Sequence, residues 1–223
     1  MSGNLFASSG DASLQSSIRG LHATPTAPLP FLRGVVVRSF VLERARGNVI
    51  VYHSPGITAA AQEILRLGRP ERLLVNHWHE AMFDPPYLDV PIFVHQHDRG
   101  RTDLPIAGIF SKREKIADDL EIIPTPGHTS GATMFLWDNG ERRVLFPGDS
   151  IWVEKGEWKA VLLGESDREA YIDSLSSLMD LDFDLLVPWA SEEGRFHGYG
   201  ITRAQARSKL QRIVDRLRAG EDG

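Results

Sequence analysis

Residues 72–82 read Arg-Leu-Leu-Val-Asn-His-Trp-His-Glu-Ala-Met, an apolar strand-like run, 72–76, that ends in His77-x-His79. Two histidines at i and i+2 just past a strand can converge on one ion, and imidazole suits zinc, iron and other first-row metals. The positions after Glu80, where a two-ion site would want further ligands, hold Ala81 and Met82. Taken alone, the pair fits ordinary surface histidines at least as well as a metal site.

Three segments further along end in the same way. Thr125-Pro-Gly-His128-Thr-Ser-Gly131 follows the strand-like Leu120-Glu-Ile-Ile-Pro124. Pro and Gly force a tight turn with His128 on it, and the Thr129 and Ser130 hydroxyls can bond backbone or orient the imidazole. Leu145-Phe-Pro-Gly-Asp149-Ser150 is an apolar run that ends in a turn presenting one carboxylate. Asp184-Leu-Leu-Val-Pro-Trp189-Ala190-Ser191 is another, but Ala follows Trp189. Each segment by itself reads as a turn.

Length and composition narrow the class. At 223 residues the chain makes one large domain or two small ones and can bury a sizeable core. A net charge of −5 and the absence of a basic cluster argue against a nucleic-acid surface. There is no cysteine, which excludes disulfides, thiolate–zinc sites and thiol nucleophiles. No apolar run reaches the ~18 residues of a membrane span. Met1-Ser-Gly-Asn-Leu-Phe-Ala7 lacks the charged and apolar regions of a secretory signal, so the expectation is a soluble, cytoplasmic protein.

The order of elements suggests the architecture. Residues 1–30, rich in Ser, Gly, Ala, Thr and Pro, read as an extended N-terminal arm lying on a surface or partly disordered. Such an arm could wrap a second copy of the chain, so a homo-oligomer is compatible. Residues 31–223 read as a single domain. Runs 33–42 and 47–52 form a hairpin. A short helix follows, with Thr58 as its N-cap and Ala61, Ile64 and Leu65 on one face. Further strands are expected at 91–95, 120–124, 132–137, 143–147 and 185–188, and 151–158 looks like a hairpin excursion. Ser166-Asp-Arg-Glu169 and Thr202-Arg-Ala-Gln205 read as capping boxes. The second opens a C-terminal helix with Ala206, Leu210, Ile213, Val214 and Leu217 on one side. Strands followed by strands mixed with helices suggest a layered sandwich of sheets covered by helices.

Taken together and in order, His-x-His, Pro-Gly-His-Thr-x-Gly and Gly-Asp, each closing a strand, resemble the metallo-β-lactamase superfamily. The likeness runs from about Phe31 to the C-terminal helix. It implies an α/β (α+β) fold, a four-layer αββα sandwich with its metal site where strand-end loops meet. Against the family pattern His-x-His-x-Asp-His, His77 and His79 match the first two histidines, while Ala81 and Met82 stand in place of Asp and His. His128 matches the next ligand and Asp149 the carboxylate that usually bridges two ions. Ala190 stands where the last histidine belongs.

The losses fall on one ion. The resemblance therefore implies at most a mononuclear site of His77, His79, His128 and Asp149. One zinc with three imidazoles and an open position fits, and one iron is the alternative. The implied activity is metal-dependent hydrolysis of an ester, thioester, amide or phosphoester in a small-molecule substrate, with Asp149 as fourth ligand or catalytic carboxylate. Glu80, Asp84 and His197 are candidates to replace missing ligands. Trp78, Trp189 and Met82 are candidates to line the pocket. His95 and His97 read as non-ligands, and His22 and His53 as structural. A catalytically inactive relative that binds a small molecule or a protein, with no metal, is the alternative. An iron oxygenase like the persulfide dioxygenases is a further one, although that branch's Asp-His is missing here too. With no secretory signal, a drug-degrading β-lactamase is disfavoured.

Overall fold

Apolar residues that alternate between two faces build the centre of the molecule. Along Thr133–Asp138, Phe135 and Trp137 enter one core while Met134 and Leu136 enter another. Phe40 and Leu42 likewise face inward, and Val41 between them faces outward. A strand with both faces covered has no solvent side, so it reads as a continuous apolar run.

The structure, a computed structural model, describes residues 4–7 and 13–221. The strands begin with β1 (Asn4–Ala7), β2 (Gln15–Ile18), β3 (Leu21–Ala23), β4 (Ala27–Pro28), β5 (Val35–Val37), β6 (Phe40–Leu42), β7 (Asn48–Val51), β8 (Pro70–Leu74) and β9 (Ile92–His95). They continue with β10 (Ile106–Phe110), β11 (Glu114–Ala117), β12 (Leu120–Pro124), β13 (Thr133–Asp138), β14 (Arg143–Phe146), β15 (Trp152–Glu154), β16 (Glu157–Lys159), β17 (Leu185–Leu186), β18 (Ala190–Glu192) and β19 (Phe196–Gly200). The helices are α1 (Gly56–Ala59), α2 (Ala61–Leu67), α3 (Arg168–Ser177) and α4 (Arg203–Arg218).

Two seven-stranded mixed sheets, β1-β19-β17-β14-β13-β12-β11 and β10-β9-β8-β7-β6-β3-β2, pack face to face. Phe40, Tyr52, Phe135 and Phe146 fill the space between them. The first sheet's outer face packs under α3 and α4, through Tyr171, Leu175, Leu210 and Ile213 against Met134, Leu136 and Leu145. The second packs under α1 and α2, through Ile57 and Ile64 against Val41, Ile50 and Leu73. The result is the αββα sandwich. A small sheet, β18-β5-β4, lies at one edge. In the parallel parts of both sheets the chain leaves β8, β14 and β17 at carboxyl ends, where open α/β sheets bind ligands.

Local readings hold in some places and shift in others. The β6–β7 hairpin, β12 and the Thr202 capping box form as expected, and the five expected residues of α4 are its buried ones. Thr58 does not cap a helix: it lies inside α1, and its Oγ1 accepts from Tyr87 N–H at 3.1 Å. Leu65 faces solvent, because α2 buries only Ile64. The cap of α3 is Asp167, which accepts from Ala170 N–H at 3.0 Å; Ser166 turns away to bond the His128 loop. The expected strand 185–188 stops at Leu186, since Pro188 has no N–H to donate. Within residues 1–30, β1 pairs with β19, β3 with β6 and β4 with β5, so this segment joins the sheets; residues 1–3 and 8–12 lie outside the described ones. Leu21 and Ala23 of β3 are fully buried there between β6 and β2, and a Ser- and Pro-rich composition hides such short strands.

Candidate metal centre

The site forms where β8, β12 and β14 end. After β8, Asn76 Nδ2 bonds the Thr133 carbonyl, which leaves Asn76 Oδ1 to accept from His77 Nδ1 at 3.0 Å. His79 sits in a 3-10 turn, Trp78–Met82, and its Nε2 faces Glu165 Oε1 at 3.2 Å. After β12, His128 Nδ1 donates to the Val161 carbonyl at 2.7 Å, and Ser166 Oγ donates to the His128 carbonyl at 2.8 Å. In each ring one nitrogen is thus engaged by an oxygen outside the site. This is the pattern by which outer partners orient metal-binding histidines.

The free nitrogens converge: one from each of His77, His79 and His128 lies within 4.8 Å of the others. His79 Nδ1 and His128 Nε2 are 3.2 Å apart. Two nitrogens at ~2.05 Å from one tetrahedral ion stand about 3.3 Å apart. With their outer nitrogens donating, those two inner atoms carry lone pairs that face each other, an arrangement a cation relieves. His77 Nε2 is buried and makes no hydrogen bond; Asp149 Oδ2 lies 3.4 Å away. These donors fit a zinc or iron ion.

Glycine sets the two Pro-Gly turns. Gly127 has φ +148° and its Cα lies against Tyr171, where a side chain would clash. Gly148 has φ +59° and abuts the Asn76 amide. Both positions exclude a Cβ. Tyr52 holds the second turn, donating to the Val187 carbonyl at 2.9 Å and accepting from Gly148 N–H at 2.8 Å.

Electrostatics separate the three rings. Burial pushes His128 down to about 4, helped by the His77 charge, so this ring is neutral. Burial and His77 also lower His79. Burial opposes charge on His77 as well, but Asp149 and Glu80 outweigh it and hold His77 at about 10. Asp149 is half-buried at the cavity; burial pushes its carboxyl up, but His77 outweighs it and holds the carboxyl below the usual range. Burial raises Glu80, with His77 opposing.

The centre opens into a cavity of about 640 Å³. Trp78, Trp189, Met82, Ala81 and Ala190 line it beside His79, His128 and Asp149. Glu80 is beneath the floor instead, fully buried, accepting from Asn76 N–H at 2.9 Å and His53 N–H at 2.6 Å. Asp84 is exposed and outside the lining, because the chain turns outward after Phe83. His197 is fully buried against Phe40, ring centroids 6.4 Å apart, because its strand turns it into the core between the sheets. His95 and His97 lie outside the three-histidine group, 4.8 Å apart, and His97 Nδ1 bonds the Ser130 carbonyl. His22 pairs with Glu43, and His53 Nδ1 donates to the Glu80 carbonyl.

Arg101 and Glu165 are site residues that sequence reasoning missed. Arg101 Nη1 pairs with Glu165 Oε2 at 2.5 Å, and its guanidinium lies 4.3 Å over the Trp78 ring. Both come from loops with no motif and meet only through the fold.

Comparison with known proteins agrees with this fold. A model of the metallo-beta-lactamase superfamily matches residues 39–190. Among solved structures, VMB-1 superposes with a TM-score of 0.68 at 13% identity, covering 93% of this chain and 96% of that one. A metallo-beta-lactamase from Pontibacter korlensis gives 0.66 at 14% identity over 92% and 98%. A metallo-beta-lactamase family protein from Thermus thermophilus gives 0.61 at 17% identity over 92% and 81%. No curated protein matches the chain in sequence.

Proposed function

The chain belongs to the metallo-β-lactamase superfamily, and from that premise we propose that it is a hydrolase that works with one metal ion, held by His77, His79 and His128. The observation that carries this reading is the convergence of three imidazoles whose outer nitrogens are already engaged by oxygens. Ala81, Met82 and Ala190, at the positions the family uses for the other ion, offer it no ligand. Among the described residues the three histidines are the one group arranged to hold an ion.

An ion bound there supplies Lewis acidity to a carbonyl or phosphoryl oxygen and acidifies water, with zinc favoured by an all-imidazole set and iron the alternative. Asp149 borders the cavity, and His77 keeps it ionised. It is placed to orient the attacking water and take its proton. As the water oxygen bonds to the acyl carbon or phosphorus, the bond to the leaving group breaks, and the proton passes to that leaving atom. Glu80 fixes the His77 loop from below and does not touch substrate.

Non-catalytic binding is the second reading, favoured by the scarcity of proton-transfer groups in the lining: among the described residues, Asp149 and Asp103 are its only carboxylates. One experiment separates the two. The protein, purified without a histidine tag, is assayed for zinc and iron by elemental analysis beside a His77→Ala/His128→Ala variant. It is then tested on ester, thioester, amide and phosphoester panels. One ion per wild-type chain, lost in the variant, with hydrolysis that follows metal content, is expected. Metal near zero after incubation with excess Zn²⁺ and Fe²⁺ overturns the reading; bound metal with no hydrolysis on any panel leaves the binding role.

A further inference from the structure

We propose that the hydrolysable bond carries a bulky apolar group, aliphatic or aromatic, which fills the cavity beside the three histidines; this rests on the hydrolase reading above. Of the three vacated ligand positions, Ala81 and Ala190 are small and Met82 is partly solvated, and about 640 Å³ stays open beside them, within the range of pockets that bury drug-sized ligands.

The walls set the chemistry. Trp78, Trp152 and Trp189 line the cavity, and the solvent-exposed Phe31, Leu32 and Met82 form its mouth. The mouth residues are unusually wet for their type: Phe31 is 72% exposed, Leu32 50% and Met82 39%. Solvated apolar side chains around a cavity that leads to a polar centre mark the entry of an apolar ligand. The loop that carries Phe31 and Leu32 is held over the cavity by pairing of β4 and β18 with β5. Its position is therefore built into the fold. Arg101 is the one Arg or Lys of the described lining, and its partner Glu165 neutralises it, so a strongly anionic group is not what the mouth selects.

The test separates this inference from the hydrolase reading by measuring binding apart from turnover. The uncharged fluorophore N-phenyl-1-naphthylamine is titrated into metal-free and zinc-loaded protein, then displaced by n-alkanols from butanol to decanol. Fluorophore binding at one site per chain is expected, with each added methylene tightening displacement about fourfold until the cavity is full. Leu32→Asp and Met82→Glu, both at half-exposed positions where the fold tolerates charge, should each weaken it tenfold or more. Tyr87→Asp, 88% exposed and outside the cavity, should not. No saturable binding, displacement indifferent to chain length, or affinities unchanged in both mouth variants would overturn the inference. Chain-length-dependent binding without hydrolysis on any ester, thioester, amide or phosphoester panel, in zinc- and iron-loaded protein alike, would sink the hydrolase reading and leave the apolar site standing. Hydrolysis with kcat/KM flat from acetyl to decanoyl esters would do the reverse.

Discussion

His79 Nε2 and Glu165 Oε1 stand 3.2 Å apart, and this contact joins the candidate metal centre to the rim of its cavity. The outer nitrogen of His79 is thereby directed to a carboxylate and its inner nitrogen to His128. Arg101 holds the other carboxylate oxygen, so Glu165 cannot swing away without breaking an ion pair. Slight burial pushes the Glu165 carboxyl up, but Arg101 and His79 together hold it below its usual range. Outer partners of this kind change metal affinity by about 10–100-fold. Glu165→Gln should weaken zinc binding about tenfold, at the low end because Glu165 is partly solvated. Competition against a chromophoric chelator reads this directly, and unchanged affinity would show that the contact does not orient His79.

Glu80 ties the same loop from below. Its two oxygens accept from the backbone N–H groups of Asn76 and His53, and all three residues are buried. Glu80→Gln turns one acceptor into an NH₂ group facing an N–H. Leaving a buried donor unpaired costs about 1–3 kcal/mol, and more where a charged acceptor is lost. A loss of about 3 kcal/mol in urea unfolding is expected. A loss under about 1 kcal/mol would mean that the loop rebuilds around the amide.

Tyr52 links the Asp149 turn to the strand end that leads to Trp189. One hydroxyl serves Gly148 N–H and the Val187 carbonyl, and the residue is fully buried. Tyr52→Phe keeps the ring in the core but strands both backbone groups. The expected cost is about 2–3 kcal/mol, or a fall in Tm of roughly 5–10 °C for a domain of this size. Differential scanning calorimetry measures it, and an unshifted transition would count against the bridge.

What could be read in the sequence follows from where the information lies along the chain. The strands that bear His77, His128 and Asp149 are largely apolar and end in Pro, Gly or Asn, so their ends are locally encoded. Ala206, Leu210, Ile213, Val214 and Leu217 announce the buried face of α4 by spacing alone. Several strands were not legible in the sequence, and β2, β10 and β11 show the opposite reason. β2 carries Ser16 and Ser17, β10 alternates only between half-buried and exposed residues up to Phe110, and β11 buries no residue fully, so tertiary pairing decides them. The α3 cap moved by one residue because Ser166 and Asp167 can both cap, and the His128 carbonyl claims the serine. Arg101 and Glu165 are 64 residues apart (165 minus 101) with no local pattern around either, so only the folded chain brings them to His79.

Asp98 makes the stability of this protein depend on pH in a predictable sense. It is 1% exposed, next to Gly131, and neither carboxylate oxygen makes a well-formed hydrogen bond. Burial pushes its pKa up from 3.8 to about 6, against the pull of His77, the Trp78 backbone, Arg101 and His97. The folded state therefore holds this proton more tightly than the unfolded chain does. The associated stability is fully present below about pH 3.8 and is lost as pH rises through about 6. Roughly two pH units of displacement correspond to about 3 kcal/mol. In Asp98→Asn that proton is gone from both states. Urea unfolding of metal-free protein between about pH 4 and pH 7 should then show the wild type losing about 2–3 kcal/mol more than the variant. Parallel pH profiles for the two proteins would mean that the Asp98 carboxylate is stabilised in the fold after all.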